Sequence, residues 1–215
     1  MLFADRAEAG RRLALELRHL QGDPSVVVLG LPRGGVPVAL EVARSLGVRL
    51  DVMMVRKLGV PRQPELAMGA IGEGGVRIVN EDVVRRAGVT ERELEEVAAK
   101  ELVELQPRAL RFRGPRRQVS LQGHTVVVVD DGLATGATAR AACEAARGQG
   151  AARVVLAVPV APHDWVERMA GSADEYVCVS APLRFSAVGE FYGDFSQTTD
   201  EQVIECLRRA GPVRR

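Results

Sequence analysis

Lysine is almost missing from this 215-residue chain: of 29 basic residues, only Lys57 and Lys100 are not arginine. Asn80 is the single asparagine. A chain poor in asparagine and cysteine suits a thermophile, and an arginine-rich, lysine-poor one also suits a GC-rich genome. Against that background a surviving lysine marks a candidate functional position. Cysteine and histidine are sparse too, three of each (Cys143, Cys178, Cys206; His19, His124, His163), widely separated and without a C-x-x-C pair. That excludes a disulfide framework and a zinc site built from protein ligands alone, so all six are read as packing or surface residues. No apolar run approaches the roughly 20 residues that cross a bilayer. The opening MLFADRAEAGRRLALEL carries acids within an amphipathic helical pattern, and lacks the basic start and unbroken apolar centre of a secretion signal. A soluble, cytoplasmic protein is expected. A net charge of +1 gives no attraction to nucleic acid or to an acidic membrane. The basic cluster RFRGPRR at 111–117 is read as a solvated turn.

What is present is the composition of an ordinary folded protein, 47% hydrophobic and 27% charged. No Pro-, Ser- or Gly-rich linker divides it, so residues 1–215 are expected to form one domain. Apolar runs at 25–30, 49–55, 125–131, 152–160 and 174–181 read as strands. Helical stretches at 36–47, 91–107 and 138–147 separate them. Nearly continuous apolar strands alternating with helices predict an α/β fold, a mostly parallel central sheet with helices on both faces. The Gly- and Pro-rich stretch 57–79 predicts a mobile loop or a small two-stranded flap. Thr90-Glu91-Arg92-Glu93 has the pattern of a capping box and opens a helix expected to end near Pro107. That helix lies in an insert of about 80–118. The core is expected over about 24–180, followed by a C-terminal hood segment and tail at 181–215.

In parallel sheets ligands sit at the carboxyl ends of the strands. Three loops follow such ends, at 31–35, 56–75 and 130–138. The most informative stretch is VVVVDDGLATGAT (126–138). Two adjacent carboxylates, Asp130 and Asp131, at the end of an apolar strand are costly unless cationic or hydroxyl-rich groups meet them. After them come Ala134, Thr135, Gly136, Ala137 and Thr138, small residues around a glycine. Successive amides at a helix N-terminus can there wrap an anion. A single phosphate fits, and the acids beside it can accept from sugar hydroxyls, so the stretch reads as ribose followed by 5′-phosphate. The pattern G-x-x-x-x-G-K-[ST] is absent, which sets aside a nucleotide P-loop.

VVVVDDGLATGAT resembles the motif by which type I phosphoribosyltransferases bind 5-phosphoribosyl 1-pyrophosphate (PRPP). The resemblance implies that Asp130 and Asp131 hold the ribose 2′- and 3′-hydroxyls, and that Ala134, Thr135, Gly136, Ala137 and Thr138 hold the 5′-phosphate. LGLPRGGVPVA (29–39) is similar to the family's pyrophosphate loop, which implies roles for Arg33 and the amides of Gly34 and Gly35. Lys57 directly follows the second expected strand, where the family places a basic residue that reaches the pyrophosphate. Residues 58–75 match the family's flexible loop in position, with Arg62 as a charge that closes over the leaving group. Catalysis thereby falls to Arg33, Lys57, Asp130 and Asp131, with Mg²⁺ carried on PRPP and no direct protein ligand. The implied partners are PRPP and a nitrogenous base, purine by preference, in a homodimer, with no nucleic acid and no membrane.

The family's acceptor is chosen by a variable hood, here APLRFSAVGEFYGDF (181–195). It holds Phe185, Phe191, Tyr192 and Phe195, four of the chain's eight aromatic residues. Phe185 is the candidate for stacking on a base, and anchoring of the C-terminal segment to the core is the equal alternative. Two other functions compete with this one. A PRPP- or nucleotide-sensing regulator could share the fold, but the retained Lys57 and intact loops favour a transferase. A PRPP-making diphosphokinase normally has two such domains, which a chain of this length does not provide.

Overall fold

The valine runs become the strands of a central sheet. The computed structural model describes residues 1–211. Along the chain the elements are α1 (Arg6–Glu16), β1 (Val26–Gly30), α2 (Gly35–Leu46), β2 (Arg49–Val52), β3 (Val55–Val60), β4 (Gln63–Gly72), β5 (Arg77–Val79), α3 (Glu81–Ala87), α4 (Glu91–Arg113), β6 (Thr125–Val129), α5 (Ala137–Gly148), β7 (Arg153–Val160), α6 (Trp165–Arg168), β8 (Glu175–Ser180) and α7 (Asp200–Arg209). Five strands form one sheet in the order β2-β1-β6-β7-β8, every neighbouring pair parallel.

Both faces of this sheet are covered, which is why its strands carry unbroken apolar runs. Val26, Val28, Val127 and Val129 point to one face and pack with Leu13 of α1, Leu40 of α2, Leu105 and Phe112 of α4, and Val203 of α7. Val27, Leu29, Val126 and Val128 point to the other, against Ala142 and Cys143 of α5 and the Trp165–Met169 turn. All eight strand residues are essentially inaccessible to water. Each such side chain contributes on the order of 1.5–3 kcal/mol by burial, so the sheet's carboxyl edge is a rigid platform for the loops that leave it.

Four expectations are corrected. The second strand stops at Val52, not at residue 55. The stretch 57–79 is not a mobile loop or a two-stranded flap: β3, β4 and β5 make a separate three-stranded antiparallel sheet. Leu58, Val60, Met68 and Ile71 give it an apolar face of its own, covered by Leu94 and Ala98 of α4. Finally, α4 does not end near Pro107 but runs on to Arg113, so the 111–117 cluster is not a solvated turn: its first three residues are helical and Arg113 is buried against Asp51 and Glu73. The helix is held across the proline because Leu105, Ala109 and Phe112 are anchored in the main core, which outweighs one missing backbone hydrogen bond. The capping box at Thr90 and Glu93 forms as expected. The 80–118 insert therefore joins the flap to the main sheet, its first half packed on one and its second half on the other.

Candidate active site at the carboxyl edge of the sheet

Parallel pairing of β1 with β6, with Gly30 opposite Val129, makes the chain leave both strands side by side. The amide of Leu31 donates to the carbonyl of Val129 at 2.9 Å, stitching the 31–35 loop to the root of the 130–138 loop. Two of the three predicted loops thus lie in contact. Their closeness explains the Gly-Gly pair. A Cβ on Gly34 would lie 2.0 Å from Asp131 Oδ2, and one on Gly35 would lie 2.6 Å from the carbonyl oxygen of Val129. These glycines make room for the paired acids as much as for any ligand.

Asp130 and Asp131 stand where the strand ends. Both carboxyls titrate above the ordinary aspartate range. Burial is the main cause for each; for Asp130 the neighbouring Asp131 charge adds to it, and for Asp131 the Arg6 guanidinium opposes it. Asp130 accepts only from the Asp131 amide, at 2.9 Å, among the described residues. Asp131 is more tightly held: Arg6 Nε donates to its Oδ2 at 2.8 Å, and the Tyr192 hydroxyl donates to its backbone carbonyl at 2.5 Å. Arg6 is a residue that sequence reasoning missed. It lies 125 positions away in the chain, so no local pattern could have signalled it.

Beyond the acids the chain turns through Gly136 at φ +78°, a left-handed conformation that glycine adopts freely, and enters α5. Ala134, Thr135, Ala137 and Thr138 are exposed around it. The amides of a helix's first turn have no intrahelical acceptor, and with the helix dipole they make a seat for one anionic group. A Cβ on Gly136 would strike Met169 Sδ at 2.6 Å, so the seat leans on the Trp165–Met169 turn.

The cationic candidates are distributed around this edge. Arg33 Nη1 lies 3.6 Å from Asp200 Oδ1, at the start of α7, and Arg108 and Arg111 of α4 approach the same carboxylate at 3.4 and 3.2 Å. Lys57 does not sit in a loop following the second strand: it lies within β3, with Nζ 3.4 Å from Glu65 Oε2. It nevertheless lines a cavity of about 130 Å³ together with Ala70, Ala137 and Thr138, which brings the flap lysine beside the anion seat. Arg62 is exposed near the turn between β3 and β4, and its charge is felt by Glu93 of α4. The structure does not bring it to the acids.

In the hood, the backbone of residues 2–4 is zipped to residues 191–194 by hydrogen bonds of 2.8–2.9 Å. Tyr192 packs at a tilt between Phe3 and Phe195, with ring centroids 5.3 and 5.0 Å away. Phe185 lies nearly parallel to Phe191 at 5.6 Å, so one of its faces is already occupied. The hood aromatics anchor the segment as well as offering surface. No helix of the described residues is long and apolar enough to cross a membrane.

The arrangement offers two carboxylates for hydroxyl groups, a helix-end seat for one phosphate, and an arginine and a lysine for a second anionic group. Comparison with known proteins identifies the family. Two curated proteins from Mycobacterium tuberculosis strains, provisionally named phosphoribosyl transferases, are 58% identical over 209 residues, 97% of this chain. The chain spans 47% of the length of these relatives. The crystal structure of TT1426 from Thermus thermophilus is 47% identical and superposes with a TM-score of 0.89 over 99% of this chain and 100% of that one. The family described as "Phosphoribosyl transferase domain" matches residues 3–190. By that match and these identities, the chain belongs to the type I phosphoribosyltransferase family.

Proposed function

We propose that the chain is a phosphoribosyltransferase that moves the 5-phosphoribosyl group of PRPP to a nitrogen of a base and releases pyrophosphate. The observation that carries this reading is the register of β1 against β6, which sets the Gly34–Gly35 loop against Asp130 and Asp131. One ligand bearing a phosphate, vicinal hydroxyls and a diphosphate spans the groups gathered there. The amides of Gly136, Ala137 and Thr138 with the two threonine hydroxyls take the 5′-phosphate. Asp130 and Asp131 accept from the ribose hydroxyls. Arg33 and the amides of Gly34 and Gly35 take the diphosphate, joined by Lys57 from the flap.

In the reaction a C1–N bond forms as the C1–O bond to the diphosphate breaks. Positive character grows on the ribose and negative charge on the leaving group. Arg33 and Lys57 are the chain's own stabilisers of that charge, and loss of one such preorganised donor costs about 10²–10³ in rate. To reach the diphosphate, Arg33 must exchange its Asp200 contact, and Lys57 its Glu65 contact, for phosphate oxygens. The flap sheet beside the anion seat would cover a bound ligand and exclude water, which protects PRPP from hydrolysis. The carboxylates and threonine hydroxyls of the site are hard oxygen donors compatible with Mg²⁺, which would enter with PRPP and would supply charge neutralisation when bound. No side chain is assigned to it. The acceptor is a planar nitrogenous base, with purines the first to screen and the free face of Phe185 as a stacking surface. A cytoplasmic homodimer is the expected setting.

The test is calorimetric titration with PRPP, with and without Mg²⁺, alongside the Asp130→Asn/Asp131→Asn double variant. Micromolar, Mg²⁺-dependent binding that the variant loses is the expected result, followed by pyrophosphate release when a base is supplied. Binding without release for any base would favour the sensing role. Absence of binding by the unaltered protein would sink the reading.

A further inference from the structure

Arg6 is the first residue of α1, a helix set by its N-cap: the Asp5 side chain accepts from the Glu8 amide at 2.8 Å. From there its guanidinium reaches three places at once. Nε meets Asp131 Oδ2 at 2.8 Å, Nη1 donates to the Ser196 carbonyl at 2.8 Å, and the group lies 4.2 Å above the centre of the Phe195 ring. The Arg6 and Asp131 side chains are only 12% and 15% exposed, so solvent screens this pair weakly. Ser196 and Phe195 belong to the hood segment, and Asp131 belongs to the sheet edge. A single side chain thus ties the N-terminal helix, the hood and the second acid of the motif together.

We infer that Arg6 is a positioning residue of the ribose site, holding the Asp131 carboxylate in the orientation and charge state in which it meets the sugar. The inference rests on the phosphoribosyltransferase reading above. Gly34 leaves no space on one side of Asp131 Oδ2, and Arg6 closes another. The carboxylate is therefore pinned on that oxygen, while Oδ1 is left for a ligand. The Tyr192 hydroxyl, kept protonated by burial and by the Asp131 charge, fixes the backbone carbonyl of the same residue. The charged or titratable groups facing Asp131 are Arg6 from α1, Asp130 from its own loop and Tyr192 from the hood. Of these only Arg6 favours the ionised acid, and burial works against it. Without Arg6, Asp131 would hold a proton to higher pH and become a weaker acceptor for a hydroxyl.

The test compares R6Q and R6K with the unaltered protein, titrating PRPP with Mg²⁺ across pH 5–9 and inorganic pyrophosphate separately. A charge-assisted hydrogen bond of this kind is worth about 1.5–3 kcal/mol, so R6Q is expected to weaken PRPP binding about 10- to 100-fold. Pyrophosphate, which has no ribose, should bind R6Q as before. The acid limb of the PRPP profile should move to higher pH in R6Q and stay in place in R6K. Unchanged PRPP affinity in R6Q overturns the inference, and so does an equal loss for both ligands with an unmoved acid limb, the mark of a merely structural role. Should R6Q fail to fold, R6K decides alone: a shifted acid limb in a variant that keeps the charge refutes it. Failure of the unaltered protein to bind PRPP would instead strike the underlying reading, so the two failures are separable.

Discussion

Replacing Gly34 by alanine adds one methyl group where the structure leaves no space for it. The new Cβ would lie 2.0 Å from Asp131 Oδ2, 2.7 Å from its Cγ and 3.2 Å from Arg6 Nε. A carbon and an oxygen rest comfortably no closer than about 3.3 Å, so the carboxylate must retreat by about 1.3 Å. It cannot do so while keeping its 2.8 Å bond to Arg6. The backbone at Gly34, φ −63° and ψ −33°, is one that alanine accepts. The substitution therefore gains about 0.4–1 kcal/mol by restricting the unfolded chain. Against that stands loss of a charge-assisted hydrogen bond, about 1.5–3 kcal/mol. The net expectation is a destabilisation of about 0.5–2.6 kcal/mol, or about 1–10 °C in melting temperature for a chain of this size. PRPP binding should fall at least about tenfold, because the acid displaced is the one assigned to the ribose. Thermal melts and calorimetry on the purified variant measure both effects. Gly35→Ala is the harsher control, since its Cβ meets backbone at 2.6 and 2.8 Å that cannot swing aside. A Gly34→Ala protein that melts and binds like the parent would refute the view that the loop is fitted around a pinned carboxylate.

Asp130→Asn should stabilise the protein while weakening PRPP binding. The folded-state pKa of Asp130 is raised, chiefly by burial, so its stabilising contribution exists at low pH and is lost as pH rises through that raised value. Melts should show the variant a few degrees above the parent at pH 8 and the gap closing towards pH 4; no gap at pH 8 would contradict the assignment. Arg113→Met should be severe. Arg113 is buried between Asp51, at 2.7 Å from its Nε, and Glu73, and its removal strands two buried acids. The cost is about 3–5 kcal/mol in urea unfolding. Glu73 already titrates high because it is buried, so the deficit should shrink as falling pH protonates it. A deficit that is constant with pH would argue for lost packing alone.

The main sheet was legible because its residues obey one rule: strands covered on both faces must be apolar throughout, and Val26–Leu29 and Val126–Val129 are. The diacid loop was legible for the opposite reason, since Asp130 and Asp131 break that rule at a strand end. The flap was not. Its apolar residues, Leu58, Val60, Met68 and Ile71, are interrupted by glycines and prolines, and only the covering helix α4 makes them one face. Pro107 misled for a similar cause: a local helix stop is overruled by Phe112 and Ala109 in the core. Arg6 and Asp200 were beyond reach altogether. Their roles arise from chain segments that meet only after folding, and each looks locally like an ordinary exposed charge in a helix's first turn.

The carboxylate of Asp200 is a junction with three claimants. Arg33 comes to it from the 31–35 loop, and Arg108 and Arg111 come from the helix that carries the flap. If the diphosphate of the proposed reaction draws Arg33 away, the acid is left to the two helix arginines, strengthening their hold on α7. Linkage requires the converse as well. Whatever tightens α4 against α7 weakens the tether on Arg33 and makes it readier for an anion. In the proposed reaction the loop arginine and the flap helix would then not be independent, because both hold the same acid at the start of α7.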